Sequence, residues 1–187
     1  MKKIFSIAAT LLVMICAAVP AHADGYNRIF GSWNDEIWNV DGDIVNNNGI
    51  GVGYLRGIGL TPKIPLYLEV GGTLTGGWGR YEGVSTDIFT FQIPVNCAYQ
   101  FEFAGGDIHL SPYAGFNFKF NIGGDVDKEN IFDSDGVNAS RFQPGFHIGC
   151  HFSWKKLYTG MQYGFDFNKL ASDCSTTGFS WNIGVVF

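Results

Sequence analysis

The chain has 187 residues, a formal net charge of −5 and 16% charged residues. That length fits a single domain, and the acidic balance excludes a nucleic-acid partner, since phosphate recognition needs clustered Lys and Arg. The chain is rich in Phe, Tyr, Trp and Gly and slightly hydrophobic overall, which points away from an ordinary soluble protein.

The N-terminus reads as a secretory signal peptide. Lys2 and Lys3 precede an apolar run over residues 4–19, Pro20 breaks it, and Ala21-His22-Ala23 supplies small residues for cleavage after Ala23. A membrane anchor is the rival reading, but the run is short for a spanning helix and Asp24 follows directly. A lipoprotein is disfavoured because Ile15 before Cys16 is bulky for a lipobox. The division is therefore residues 1–23 as signal peptide and 24–187 as an outer-membrane β-barrel domain. Cleavage would remove two lysines and take the net charge from −5 to about −7. No later stretch is apolar and long enough for a spanning helix, so membrane residence requires a closed β-barrel, because lipid satisfies no backbone hydrogen bonds.

Period-two alternation then marks segments along the chain. The first, residues 26–40, is the least regular: Trp33 and Ile37 fit a lipid face but Asp35 does not, which predicts a bulge or a shortened strand. In the second, Ile50, Val52, Tyr54, Ile58 and Leu60 oppose Gly49, Gly51, Gly53, Gly57 and Gly59. Arg56 is a misfit on the apolar face unless it snorkels to the interface. In the third, Leu66, Leu68, Val70, Leu74 and Trp78 oppose Tyr67, Glu69, Gly71, Thr73 and Thr75. In the fourth, residues 87–103, a face of Phe89, Phe91, Ile93, Val95, Cys97, Tyr99 and Phe101 opposes Thr90, Gln92, Asn96 and Gln100.

The fifth, residues 108–122, sets Leu110, Ala114, Phe116, Phe118 and Phe120 against Ser111, Tyr113, Asn117, Lys119 and Asn121. The sixth, residues 141–154, is the clearest, with Phe142, Phe146, Ile148 and Phe152 against Gln143, His147, His151 and Ser153. Met161, Tyr163, Phe165 and Phe167 oppose Gln162, Gly164, Asp166 and Asn168 in the seventh. Phe179, Trp181, Ile183, Val185 and Phe187 oppose Ser180, Asn182 and Gly184 in the eighth. Connections over residues 61–65, 104–107 and 155–156 are tight, whereas 41–48, 79–86, 123–140 and 169–176 are long and acidic. Short turns on one side and long loops on the other describe an all-β, eight-stranded antiparallel up-and-down transmembrane barrel with its short turns in the periplasm. A lipocalin-like soluble barrel is the alternative, but its solvated face would carry Lys and Glu where this chain has Gly, Ser, Thr, Asn and Gln.

The C-terminal strand, with Phe187 last and Val185, Ile183, Trp181 and Phe179 at every second position, resembles the assembly signal of bacterial outer-membrane proteins. With the signal peptide and eight segments, residues 24–187 resemble the small outer-membrane β-barrel families, OmpX-like and PorT-like, and more loosely the OmpA membrane domain. The resemblance implies an outer-membrane location, lipid and the barrel-assembly machinery as partners, and a monomer. Its members include adhesion, defence, structural and channel-forming proteins, and no one role transfers on pattern alone.

Chemistry-bearing clusters are sparse. Cys97, Cys150 and Cys174 have neither disulfide-framework nor zinc spacing. His147 and His151 stand four residues apart on one strand, roughly 13 Å, too far to share a metal. A lipid-modifying triad would have to draw on His147, Ser153 or Ser111, and Glu69 or Glu102, all facing inward. The glycines at 49, 51 and 53 alternate within a strand and make no phosphate loop. The loop at 123–140 gathers Asp125, Asp127, Glu129, Asp133 and Asp135 around Ile131 and Phe132; calcium is conceivable there, but no EF-hand spacing is present.

Lumen charges carry more. Lys119, Arg141 and Asp166 fall near the long-loop ends, and Glu69, Glu102, His109 and His151 lower, with His147 also on the lumen parity. These predict two layers of cross-strand ion pairs that plug the barrel; a polar pathway for small solutes is the alternative. The reading is a non-enzymatic structural or surface-interaction protein, with no cofactor or metal, that meets an extracellular ligand through its loops. The alternative is a narrow porin-like channel, and a lipid A-modifying enzyme comes third.

Overall fold

A computed structural model describes residues 25–40, 42–81, 83–132, 139–171 and 173–187. The expected signal peptide lies outside these residues. Ten strands make one sheet: β1 (Gly25–Val40), β2 (Asp43–Gly59), β3 (Leu66–Tyr81), β4 (Val84–Tyr99), β5 (Phe101–Phe103), β6 (Ile108–Val126), β7 (Glu129–Asn130), β8 (Phe142–Trp154), β9 (Leu157–Asp166) and β10 (Cys174–Val186). Strands β4 and β5 are one stave interrupted at Gln100, and β7 is a two-residue extension pairing with β6 above the barrel. Eight staves remain, each antiparallel to its neighbours, and β1 pairs with both β2 and β10. The eight staves thereby close into a ring, each paired with a neighbour on both sides.

Closure matters because every stave must satisfy its backbone through its neighbours. The last residue takes part: Phe187 N–H donates to the Asn27 carbonyl and Asn27 N–H to the Phe187 carbonyl, at 2.9 and 2.7 Å. The shortest stave, β9, has ten residues, enough for a tilted strand to span a bilayer. No helix among the described residues is long and apolar enough to cross a membrane.

Sidedness follows the alternation. Ile29, Trp33, Ile50, Phe89, Phe116, Ile148, Met161, Trp181 and Ile183 are exposed on the outside. Arg28, Glu69, Asn96, Ser111, Lys119, Gln143, His147, His151 and Asn182 are buried inside. A polar interior inside an apolar exterior is the inverse of a soluble barrel, and it fits a lipid surround. Ile58 and Val70 share the outward parity yet are buried, flanking Arg56, which is exposed, opposite Val70, three residues from the short-turn end of β2.

Two expectations need correction. Strand β1 is neither bulged nor shortened: it runs 16 residues with unbroken register against β2 and β10. Asp35 stays on the outward parity, half-buried, opposite Asn48 and Phe179. The reason is that a one-residue slip would turn Arg28 or Glu36 out of the lumen, where both are engaged. The irregularity falls instead between Phe89 and Thr90 of β4, where Ile122 of β6 is the extra residue.

The second correction concerns loops. Residues 41–42 and 82–83 alone separate β1 from β2 and β3 from β4, so the segments read as long loops are strand. Gly42 and Gly83 take positive φ, +97° and +90°, the conformation that tight hairpins demand. Asymmetry between the ends therefore rests on two connections, 127–141 (with β7 inside it) and 167–173.

Close strand approach makes particular glycines obligatory. A Cβ at Gly71 would lie 1.9 Å from the Tyr54 carbonyl oxygen, whereas one at Gly31 meets nothing nearer than 3.9 Å. Gly71→Val is predicted to cost about 1–3 kcal/mol or more, and Gly31→Ala within about 0.5 kcal/mol of nothing. Urea titration of the refolded barrel, read by heat-modifiable gel mobility, checks the contrast; equal midpoints for the two variants would contradict it.

Candidate functional site

Inward side chains of four staves, β1, β3, β4 and β8, meet at one carboxylate in the lower half of the lumen. Glu69 of β3 accepts hydrogen bonds at Oε1 from Arg28 Nη1 and Tyr26 OH, both at 2.5 Å. Its Oε2 accepts from Asn96 Nδ2 at 3.1 Å and pairs with His151 Nε2 at 3.2 Å. Since Nε2–H donates there, Nδ1 of a neutral His151 accepts from Tyr158 OH, 3.0 Å away. The contact from β3 to β8 crosses the lumen. Arg28 and Glu69 cancel in charge, and both are essentially inaccessible, as is His151.

Aromatic rings complete this layer. The Arg28 guanidinium lies 4.2 Å from the Tyr26 ring centroid and 5.0 Å from that of Tyr158. Tyr113 stacks on His151 with centroids 4.1 Å apart, and its hydroxyl donates to Gln162. His147 sits just above, with Nε2 2.6 Å from Asn96 Oδ1. Rings and amides thus wrap the charged centre, with a cavity of about 20 Å³ beside Asn96 and His151.

A second layer lies nearer the loops. Lys119 Nζ donates to Asp166 Oδ2 at 2.7 Å and to Glu36 Oε2 at 3.0 Å. Trp38 Nε1–H donates to Glu36 Oε1 at 2.9 Å, and Thr176 donates to Asp166. Gln143 reaches Thr176 and accepts from Asn121, tying β6, β8 and β10 together.

The mouth is closed by different chemistry. Trp38, Val45, Ile88 and Cys174 turn inward at the strand ends and meet Ile131, Ala139 and Leu170 from the two longer connections. Backbone bonds hold those connections down: Ile131 N–H donates to Gly124 O, Ala139 to Ile131 O and Ser140 to Leu170 O. Part of the acidic loop thus packs as an apolar lid. Between lid and lower layer are cavities of about 70 and 20 Å³.

Three residues placed in the lumen layers stand elsewhere. The Arg141 guanidinium lies 4.7 Å from the Phe132 ring centroid and reaches the Ile122 carbonyl, outside the barrel bore, because Arg141 precedes β8. Glu102 and His109 face each other across β5 and β6 at the short-turn rim; Glu102 is exposed, and His109 Nδ1 meets Gln100 Nε2 at 2.8 Å. His109 is half-buried at this rim, and neither residue contacts the Glu69 layer in the hydrogen bonds of the described residues. Glu69, Lys119, His147, His151 and Asp166 do line the lumen.

Triad geometry is not assembled. Among the described residues, the histidine ring nitrogens that form hydrogen bonds engage Asn96, Glu69, Tyr158 and Gln100, not Ser111 or Ser153. Among the described residues, no group of three His, Cys, Asp or Glu side chains is placed to hold a metal. Missed in the sequence were Arg28 and Glu36. Both share the inward parity of β1 opposite Trp33 and Ile37, and that shared parity was the available signal.

No family model matches this sequence, and no curated protein matches it. Solved structures do. Ail, the attachment invasion locus protein of Yersinia pestis, in complex with the heparin analogue sucrose octasulfate, superposes with a TM-score of 0.56 at 13% identity, over 88% of this chain and 99% of that one. Neisserial surface protein A gives 0.54 at 14% identity, over 87% and 95%. The outer membrane enzyme PagL gives 0.49 at 14% identity, over 82% and 98%. At such identities the likeness concerns the fold, a small closed antiparallel β-barrel.

The lower layer makes a sharp energetic prediction. Glu69→Leu leaves the Arg28 charge buried without its partner and should cost about 3–5 kcal/mol. Adding Arg28→Met should recover most of that loss, since the pair then leaves no orphan charge. Folding equilibria of the two variants in detergent or lipid vesicles check it; a double variant as unstable as the single one would refute the pairing.

Proposed function

We propose that this chain is an integral outer-membrane protein, OmpX-like or PorT-like in kind, that works from its loop end while its barrel stays sealed. The observation that carries the reading is the closure of the lumen at two levels, by the Arg28–Glu69–His151 layer below and the apolar lid above. A channel needs a continuous water-wide path. The interior offers two small cavities with a charged, ring-wrapped layer beneath them.

Closure of β1 on β10 leaves no unpaired strand, so a monomer is sufficient. The outward row Phe179, Trp181, Ile183, Val185 and Phe187 is assigned as the assembly signal read in the membrane.

Partner chemistry follows from charge. Residues 123–140 contain five acids and one lysine. Ail was crystallised with a sulfated heparin analogue; a polyanion would be repelled by this rim, so a neutral or basic surface partner fits.

Two measurements test this. The refolded protein in a planar bilayer should be electrically silent, with heat-modifiable gel mobility confirming the folded barrel; discrete conductance steps would replace the sealed reading with a channel. On immobilised heparin at physiological salt it should flow through, and retention would overturn the assigned partner chemistry.

A further inference from the structure

The larger lumen cavity, about 70 Å³, lies directly under the lid, since Ile88 belongs to both. The charged side chains that reach it from the inward parity are Lys119, Glu36 and Asp166, 6, 18 and 7% exposed. Asp35 also borders it, but its side chain lies on the outward parity of β1. One ammonium stands between two carboxylates, so the enclosed set carries one uncompensated negative charge. His147 is a further titratable group on the inward parity of this wall, and well above its ordinary range it adds no charge. Burying an uncompensated charge is costly unless a counter-charge joins it.

An independent observation points the same way. Thr75 Oγ1, Asn117 Oδ1 and Ser180 Oγ are buried, have no hydrogen-bond partner, and belong to residues that line this cavity. The same holds for His147 Nδ1, an acceptor because Nε2–H donates to Asn96, and for one amide donor, Asn47 Nδ2. Thr75 and Ser180 are 7 and 5% exposed. Three unpaired oxygens beside a net negative charge form an oxygen-donor environment for a cation.

Size and ligand number narrow the class. A water needs roughly 10–15 Å³ on this measure, so the space admits one small ion with a few waters and no larger organic molecule. A divalent ion would overcompensate the charge, and calcium or magnesium calls for uncommitted carboxylates. Here Glu36 and Asp166 are already engaged by Lys119, Trp38 and Thr176. We propose that this compartment binds a single small monovalent cation of the sodium, potassium or ammonium class. The site stands apart from whatever partner the loops meet, and a silent bilayer recording would leave it intact.

Thallium(I), a potassium-like probe, tests it directly by equilibrium dialysis of the refolded protein in detergent at pH 8, against N-methylglucamine at matched ionic strength. One thallium per barrel is expected, displaced by sodium or potassium. Glu36→Gln should weaken binding about tenfold or more by removing the excess charge. Ser180→Ala, which leaves charge unchanged and guards against a folding defect in the first variant, should weaken it less. No bound thallium, or equal binding by wild type and Glu36→Gln, would overturn the proposal; so would proton uptake by the carboxylates in place of the ion.

Discussion

Inside a bilayer no water completes a peptide hydrogen bond, and from that constraint the rest of this molecule follows. Each stave must give its N–H and C=O groups to two neighbours, so the sheet has to close, and here β1 and β10 close it. With eight staves the bore is narrow, and its own side chains fill most of it. Those side chains are polar because the apolar parity is spent on lipid. A lumen filled with polar groups must then pair them internally, and the Glu69 carboxylate, with four donors around it, is how the lower half does so.

The two closures use opposite physics because they sit in different surroundings. Residues of the lower layer come from staves fixed by the ladder, so their positions are set before the side chains meet. Directional hydrogen bonds and an ion pair then hold a single arrangement. The lid is drawn from strand ends and connecting segments beyond the apolar band, where water is available and burial of Trp38, Ile88, Ile131 and Leu170 is itself the driving force. One closure is therefore a property of the barrel. The other belongs to the loops and is open to change with them.

Sequence patterning revealed much of the fold because lipid outside and a polar bore inside impose a strict period of two, visible in stretches such as Phe142 to Trp154. It misjudged two hairpins, since strands β1 to β4 continue past the apolar band, where alternation no longer signals strand and polar residues look like loop. Asp35 misled for a related reason: an acid on the outward face broke the pattern, and with it went the inward pair Arg28 and Glu36. Which charges meet across the bore was not legible either. Glu69 and His151 are 82 residues apart and joined only by barrel closure, which no local period encodes. The lid was hidden by composition, because Ile131 and Phe132 sit among aspartates that mark solvent.

Trp38 ties the two upper features together. Its ring is part of the lid, and its indole N–H bonds the same Glu36 that meets Lys119. Displacing the lid would cost Glu36 a donor and bring water to a charge set that is now enclosed. Conversely, a charge balanced beneath the lid stabilises Glu36 where Trp38 needs it. The loop surface and the compartment below it thus share one side chain, and whatever orders one orders the other. Among the described residues, Arg28 and Glu69 make no hydrogen bond or ion pair with that set. The loop end can rearrange, therefore, while the lower layer keeps the bore shut.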